Sequence, residues 1–305
     1  VLVAANKKFD APYPDIQASS DTAIIARGKY LAYGPAHCAS CHMPMDKFKD
    51  VENGLRPPLS GGWEESVPGF GTFRAPNLTP DMETGIGKRT DAELARSIRY
   101  MVNHEGRILF PFMATQGMSD ADLTAVISFL RSQNPVNHEV EPTKPGFLAK
   151  ALLAFGLFKP EGPKEEPPKM VQADSTAQYG EYLAYHIGNC KGCHTEMDMN
   201  TGEFIGKDFA GKGMFPPNFM SQGYSFMSPN LTPDEKTGVM VNWSESDFIE
   251  RFRAGRLHEG SPMPWGAFSR MHDTDLKALY RFFISLEPTR NKVDKTVFEP
   301  GEKLP

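Results

Sequence analysis

The sequence is poor in cysteine, with four in 305 residues, so it is not a disulfide scaffold. No apolar run reaches the roughly 18 residues that a bilayer-spanning helix requires. It also lacks a basic stripe: 33 Lys and Arg stand against 38 Asp and Glu, a formal net charge of −5, which argues against nucleic acid or an anionic membrane surface as the main partner. Strand-like alternation of polar and apolar residues is nearly absent, which leaves a mainly α class. What is present is enough for real cores, since 40% of residues are hydrophobic and 23% charged, and wholesale disorder is excluded. The opening Val1-Leu2-Val3-Ala4-Ala5, followed by Asn6-Lys7-Lys8, reads as the tail of an apolar signal or anchor segment with a basic flank.

Self-similarity is abundant. Gly28-Lys29-Tyr30-Leu31-Ala32-Tyr33 returns as Gly180-Glu181-Tyr182-Leu183-Ala184-Tyr185, each glycine ten residues before a cysteine, Cys38 or Cys190. Pro76-Asn77-Leu78-Thr79-Pro80-Asp81 returns at 229–234, followed in both copies by Thr-Gly. His104-Glu105-Gly106 returns as His258-Glu259-Gly260, and Asp120-x-Asp122-Leu123 as Asp273-x-Asp275-Leu276. An offset of 152 to 154 residues is too long for a solenoid and implies duplicated globular domains. The chain is therefore divided into an N-terminal arm, 1–27; a first domain, 28–137; a linker, 138–176; a second domain, 177–291; and a C-terminal tail, 292–305. The linker is proline-rich and charged, which predicts a semi-extended segment. Within it, Phe147 to Phe158 is apolar except for Lys150 and Gly156. That predicts a short helix, docked on a domain or offered to a partner or membrane interface.

Each domain reads as three helices separated by long irregular segments. The first runs up to the cysteines, with Ser20 or Asp21 as N-cap. The second, from Asp91, places Leu94, Ile98 and Met101 at helical spacing, with Phe248 and Phe252 in the copy. The third runs from Asp120 with Leu123, Ile127 and Leu130 on one face, matched by Leu276, Leu279, Tyr280 and Phe283, and is stopped by Pro135 or Pro288.

The chemistry lies in Cys38-Ala39-Ser40-Cys41-His42 and Cys190-Lys191-Gly192-Cys193-His194. C-x-x-C-H is the attachment signature of c-type haem. Two thiols one helical turn apart, Cys38 with Cys41 or Cys190 with Cys193, form thioethers with the haem vinyl groups, and His42 or His194 then offers its imidazole to the iron. A zinc site would need a fourth ligand from elsewhere. A thioredoxin-type pair would need a βαβ context, which is missing. Two motifs in a duplicated helical unit predict two covalently bound haem c groups.

A sixth ligand is expected downstream, on an extended loop before the last helix. Met263 in Ser261-Pro262-Met263-Pro264-Trp265 fits, because its prolines keep the loop out of helix. The counterpart is Met113 in Phe110-Pro111-Phe112-Met113. The rivals Met118 and Met271 precede the N-cap positions Ser119 and His272, where an apolar side chain packs on Leu123 or Leu276 as a hydrophobic staple, and they are read as structural. His104 and His258 are read as turn residues. His/Met ligation raises the potential relative to bis-His haem and leaves no position for substrate, so such a haem transfers electrons. Asn77, Asn230, Arg89 and Trp243 are candidate hydrogen-bond donors to haem propionates. Arg89 and Trp243 occupy equivalent places, and this difference, with the different Met loops, predicts unequal potentials.

The order Gly-x-Tyr-Leu-Ala, C-x-x-C-H, Pro-Asn-Leu-Thr-Pro-Asp-x-x-Thr-Gly, Pro-x-Met and a final Asp-x-Asp-Leu helix resembles a dihaem class I c-type cytochrome. It is similar to the cytochrome c subunits of membrane-bound alcohol, aldehyde and gluconate dehydrogenases, although those commonly carry three haem motifs. The resemblance implies two tandem cytochrome c domains, each with three core helices around a covalent haem, joined by the Pro-rich linker. It implies an electron-transfer protein, without catalysis of its own, between a membrane or periplasmic donor and a terminal acceptor. Expected partners are a dehydrogenase, quinol oxidoreductase or oxidase, and the expected location is the bacterial periplasm at the inner membrane, reached through an upstream anchor or a complex. The competing readings are a dihaem peroxidase, which needs a haem without a Met113-type ligand, and a structural subunit of a larger assembly. A cysteine-ligated, thiosulfate-oxidising haem is excluded because all four cysteines belong to the attachment motifs. Residues 177–305 hold fourteen Lys and Arg against seventeen Asp and Glu, which makes the second domain the better dock for a basic partner.

Overall fold

The computed structural model describes residues 7–110, 112–113, 115–198, 201–218 and 220–305; Val1 to Asn6, and Pro111 of the first Met loop, lie outside them. The chain forms two compact units, Val1–Val171 and Gln172–Pro305.

In the first unit, α1 (Thr22–Tyr33) is capped by Asp21, whose carboxylate accepts from the amides of Ala23 and Ile24. A short α2 (Phe48–Glu52) follows the cysteine motif. α3 (Asp91–Tyr100) begins with a reciprocal capping box between Thr90 and Glu93. α4 (Asp120–Ser132) is capped by Ser119 and buries Leu123, Ile127 and Leu130. α1 and α4 cross at Gly28, where a Cβ would lie 1.8 Å from the Ala125 carbonyl oxygen, so only hydrogen fits. Beside this crossing Arg27 pairs with Asp122 at 2.9 Å. From α3, buried Arg99 reaches Asp120 at 2.6 Å and donates to the Met118 carbonyl at 2.6 Å, fastening the entry to α4. The arm is ordered against the same helices: Ser19 N–H donates to Ser128 Oγ, Ala18 N–H to Asp91, and Arg96 to the Phe9 carbonyl.

The second unit repeats this frame. α6 (Ala177–Tyr182), capped by Thr176, runs into a π-helical turn at Leu183–Ile187, and α7 (Cys190–His194) carries the second cysteine motif. α8 (Glu245–Arg253) has a Ser244/Asp247 capping box, α9 is a single turn (Trp265–Phe268), and α10 (Asp273–Ser285) is the last helix. α6 crosses α10 at Gly180, where a Cβ would meet the Ala278 carbonyl oxygen at 2.0 Å. Arg253 grips the Met271 carbonyl at 2.7 Å as Arg99 grips that of Met118.

Two features depart from the sequence reading. Each unit contains a small antiparallel sheet, β1 (Glu64–Val67), β2 (Gly71–Arg74) and β3 (Lys144–Pro145) in the first, β4 (Met214–Phe215), β5 (Ser225–Met227) and β6 (Val297–Phe298) in the second. Strands of two to four residues are too short to show a period of two. Secondly, residues 138–171 fall within the first unit. β3 pairs with β2, α5 (Phe147–Ala154) follows, and the Phe158 ring stacks on Phe110 at 4.9 Å. The segment read as a linker thus supplies the third strand to the first unit, as 297–298 does to the second.

Candidate haem centres

Both cysteine motifs are entered through a left-handed residue, His37 (φ 37°, ψ 34°) or Asn189 (φ 51°, ψ 33°), immediately before the first cysteine. Non-glycine residues held there are uncommon and mark a backbone shaped by its surroundings. The chain then coils tightly, as a 3-10 turn at Cys38–Ser40 and as α7 in the second unit, placing the two thiols one turn apart. All four thiols are free. Burial pushes Cys38 and Cys193 up to about 11 and Cys41 and Cys190 up to about 12. A thioredoxin-type pair requires the opposite shift, toward thiolate. Among the described residues no three His, Cys, Asp or Glu side chains are grouped to hold a metal ion by themselves.

The imidazoles are fixed through one nitrogen. His42 Nδ1 lies 3.0 Å from the Pro76 carbonyl, and His194 Nδ1 lies 3.1 Å from that of Pro229. A carbonyl only accepts, so Nδ1 carries the proton and Nε2 keeps its lone pair. Burial lowers the pKa of both rings, with the carbonyl acting in the opposite sense, so both are neutral at pH 7 as ligation requires. An orienting hydrogen bond on the far nitrogen is what an iron-binding histidine needs. The donor set of paired thiols and an imidazole presented through Nε2 fits a covalently held haem: Cys38, Cys41 and His42 would hold it in the first unit.

The Pro-Asn-Leu-Thr-Pro-Asp repeats explain why those carbonyls stand where they do. Asn77 Oδ1 accepts from Thr79 N–H and Oγ1, and its amide donates to Thr84 Oγ1 and the carbonyls of Val136 and His138. Asn230 Oδ1 accepts from Thr232 N–H and Oγ1, and its amide donates to Thr237 Oγ1 and the Thr289 carbonyl. Asp81 and Asp234 tie in Thr84 and Thr237 through both backbone and hydroxyl. Asn77 and Asn230, the propionate donors expected from the sequence, are both buried, and their amides donate within a knot that ties the turn to the chain after the last helix. The Asx-type spacing, Asn-x-Thr and Asp-x-x-Thr, was the available signal. Arg89 and Trp243 are half-exposed, each one residue before an N-cap; their carbonyls accept from Arg131 and Tyr280.

The methionines separate by burial. Met118 and Met271 are buried, with their carbonyls held by Arg99 and Arg253. Met113 and Met263 are half-buried on irregular loops, Met263 between two prolines and just before α9, Met113 beside Phe112. Phe112 packs edge-on against Trp63 and Phe73, and Phe73 against Phe110, so aromatic rings flank the first loop. His104 and His258 sit in turns, Gly106 N–H closing on Asn103 and Ser261 N–H on His258.

Thiol pair, oriented imidazole and helical frame are together what a c-type haem requires. Residues 25–134 match the family model for cytochrome c, and the first unit is a cytochrome c domain, whose cofactor is covalently bound haem c. Over 99% of its length the chain is 28% identical to the gluconate 2-dehydrogenase cytochrome c subunit of Pantoea cypripedii, covering 67% of that protein. It is 26% identical to the cytochrome c subunit of the quinone alcohol dehydrogenase of Gluconacetobacter polyoxogenes, over 92% of this chain and 60% of that one. It is 29% identical to a diheme cytochrome c-type protein of Cereibacter sphaeroides, over 77% of this chain and 74% of that one. The chain spans only 22% of another relative, from the nicotinate dehydrogenase of Pseudomonas putida, to which it is 27% identical. Among the described residues no helix is long and apolar enough to cross a membrane.

Proposed function

We propose that both units are cytochrome c domains, 28–137 and 177–291, and that the protein carries electrons through two haems between a membrane or periplasmic donor and a terminal acceptor. On this reading Cys190, Cys193 and His194 hold a second haem, and Met113 and Met263 complete the two iron centres. The carrying observation is the repetition of one imidazole arrangement, His42 on Pro76 and His194 on Pro229, in two compact units with the same helical frame. The haem supplies a reversible one-electron couple. The chain's own residues keep each ring neutral and oriented, and Met113 and Met263 would supply the second protein ligand to each iron. The relatives, named as subunits of dehydrogenases, support a role as the electron-transfer subunit of such a complex in the bacterial periplasm. The stretch 138–171 then serves less as a free linker than as the closing segment of the first domain.

The test is haem counting together with optical redox titration. Two haems per chain are expected, reduced to one by Cys190→Ser with Cys193→Ser, with two unequal midpoints in the wild type. Met113→Leu and Met263→Leu should each remove the methionine-to-ferric charge-transfer band of one haem, whereas Met118→Leu and Met271→Leu should retain both. A first haem whose spectrum ignores Met113→Leu and which turns over peroxide would instead establish the peroxidase reading.

A further inference from the structure

Residues 142–160 of the first unit contain three lysines, Lys144, Lys150 and Lys159, and no acidic residue. At their centre α5 buries Ala149 and Leu153, half-buries Leu152 and turns Phe147 and Leu148 outward. Phe147 and Leu148 at its start are 75% and 41% exposed, and Phe155 and Leu157 just beyond its end are 78% and 74% exposed. Scattered exposed apolar residues are ordinary, but four large ones within eleven positions form a patch that calls for a covering surface.

The patch is not a frayed end. Gly146 N–H donates to the Phe70 carbonyl, Leu148 N–H donates to the Gly69 carbonyl at 3.0 Å, and Phe158 is stacked on Phe110, so both ends of the segment are fastened to the domain. The exposed rings are held outward by a fixed backbone. Between Pro142 and Pro160 the charged residues are all lysines, Lys144 and Lys159 exposed at the flanks and Lys150 half-buried within α5, with Glu141 and Glu161 just outside. Lys144 also meets Glu141, while Lys150 and Lys159 make no ion pair among the described residues.

We propose that α5 and its flanks rest in the headgroup region of an anionic phospholipid membrane, fixing the first unit on the lipid surface. Apolar side chains interleaved with lysines and free of acids are the composition of an interfacial segment: rings and leucines enter the acyl boundary while the ammonium groups reach up to phosphates. A plane of anionic headgroups complements all three lysines, spread over sixteen positions, at once. The chain's overall charge of −5 disfavours an anionic surface, and 142–160, at formal +3, is the local exception that would set the orientation. With eight residues α5 lies on the bilayer and does not span it.

The experiment is flotation of the haem-loaded chain with vesicles of phosphatidylcholine alone or mixed with phosphatidylglycerol. Binding to the anionic vesicles is expected, weakened by salt. Phe155→Ser with Leu157→Ser should cut the bound fraction at least tenfold, and Lys144→Gln with Lys150→Gln and Lys159→Gln should abolish the preference for anionic over neutral lipid. Unchanged haem spectra and circular dichroism show that the variants are folded, and Phe147→Ser provides a second apolar probe. No flotation, or flotation indifferent to both sets of substitutions, overturns the proposal. So does a dimer in light scattering that Phe155→Ser converts to monomer, which would make the face an interface between copies.

Discussion

His42 and His194 illustrate how a residue's chemistry is set by a neighbour distant in sequence. Each ring is pinned by a proline carbonyl 34 or 35 positions downstream. The two histidines stand out in C-x-x-C-H, but their tautomer does not, because it depends on where the Pro76 and Pro229 carbonyls stand. That is decided by Asn77 and Asn230, whose side chains bridge their own turn to the chain leaving the last helix. Replacing Asn77 by Ala leaves the Thr79 amide without its acceptor and the Val136 carbonyl with the Thr79 hydroxyl alone, and a buried polar group stripped of its hydrogen bond costs about 1–3 kcal/mol. Asn77→Ala and Asn230→Ala should therefore each lower the urea midpoint by an amount equivalent to about 1–3 kcal/mol in their own unit. Haem content should persist, since the thiols are untouched. A midpoint unchanged within error would remove the knot from the account.

At the scale of elements, the helices were readable and the strands were not. Asp21 and Ser119 cap as their positions suggest, and Leu94, Leu123, Ile127 and Leu130 are buried as the 3.6-residue period requires. Ile98 and Tyr280 are only half-buried, at the margin of their apolar stripes. The strands escape because β3, β4 and β6 have two residues each and are defined by the partners they meet, not by a local pattern. The same cause hides the role of 138–171, whose prolines suggest a tether but whose Lys144–Pro145 pairs with Thr72 and Gly71. The glycines of the repeated Gly-x-Tyr-Leu-Ala motif acquire a reason in the helix crossings. Since the obstructing atom is a backbone oxygen, which cannot rotate away, Gly28→Ala and Gly180→Ala should exceed the usual overpacking cost of about 1–3 kcal/mol. Thermal denaturation should show each substitution lowering the transition of its own unit.

For the whole molecule, stability should fall on the acid side. The Thr84 amide and hydroxyl hold Asp81 below the usual carboxylate range, and the Thr237 hydroxyl does the same for Asp234. Asp120 is also lowered: burial opposes this, but Lys169 and Arg99 together outweigh it. Carboxylates depressed in the native state contribute stability that is complete above their unfolded value, about 3.9, and is lost as pH falls through the native values. Denaturation midpoints should accordingly be flat near neutrality and drop below about pH 4. The combined Asp81→Asn and Asp234→Asn variant should lose less between pH 5 and pH 3 than the wild type does; an equal loss would place the acid sensitivity elsewhere. By itself the sequence determined the repeat, the mainly helical class and the spacing of the two C-x-x-C-H motifs, because these are encoded in local pattern and in self-similarity. Only the tertiary structure decided which nitrogen of each histidine is free, that the Asn77 and Asn230 amides donate to the chain leaving the last helix, and that 138–171 belongs to the first unit. Those depend on hydrogen bonds between residues about 35 to 75 positions apart, which no local pattern records.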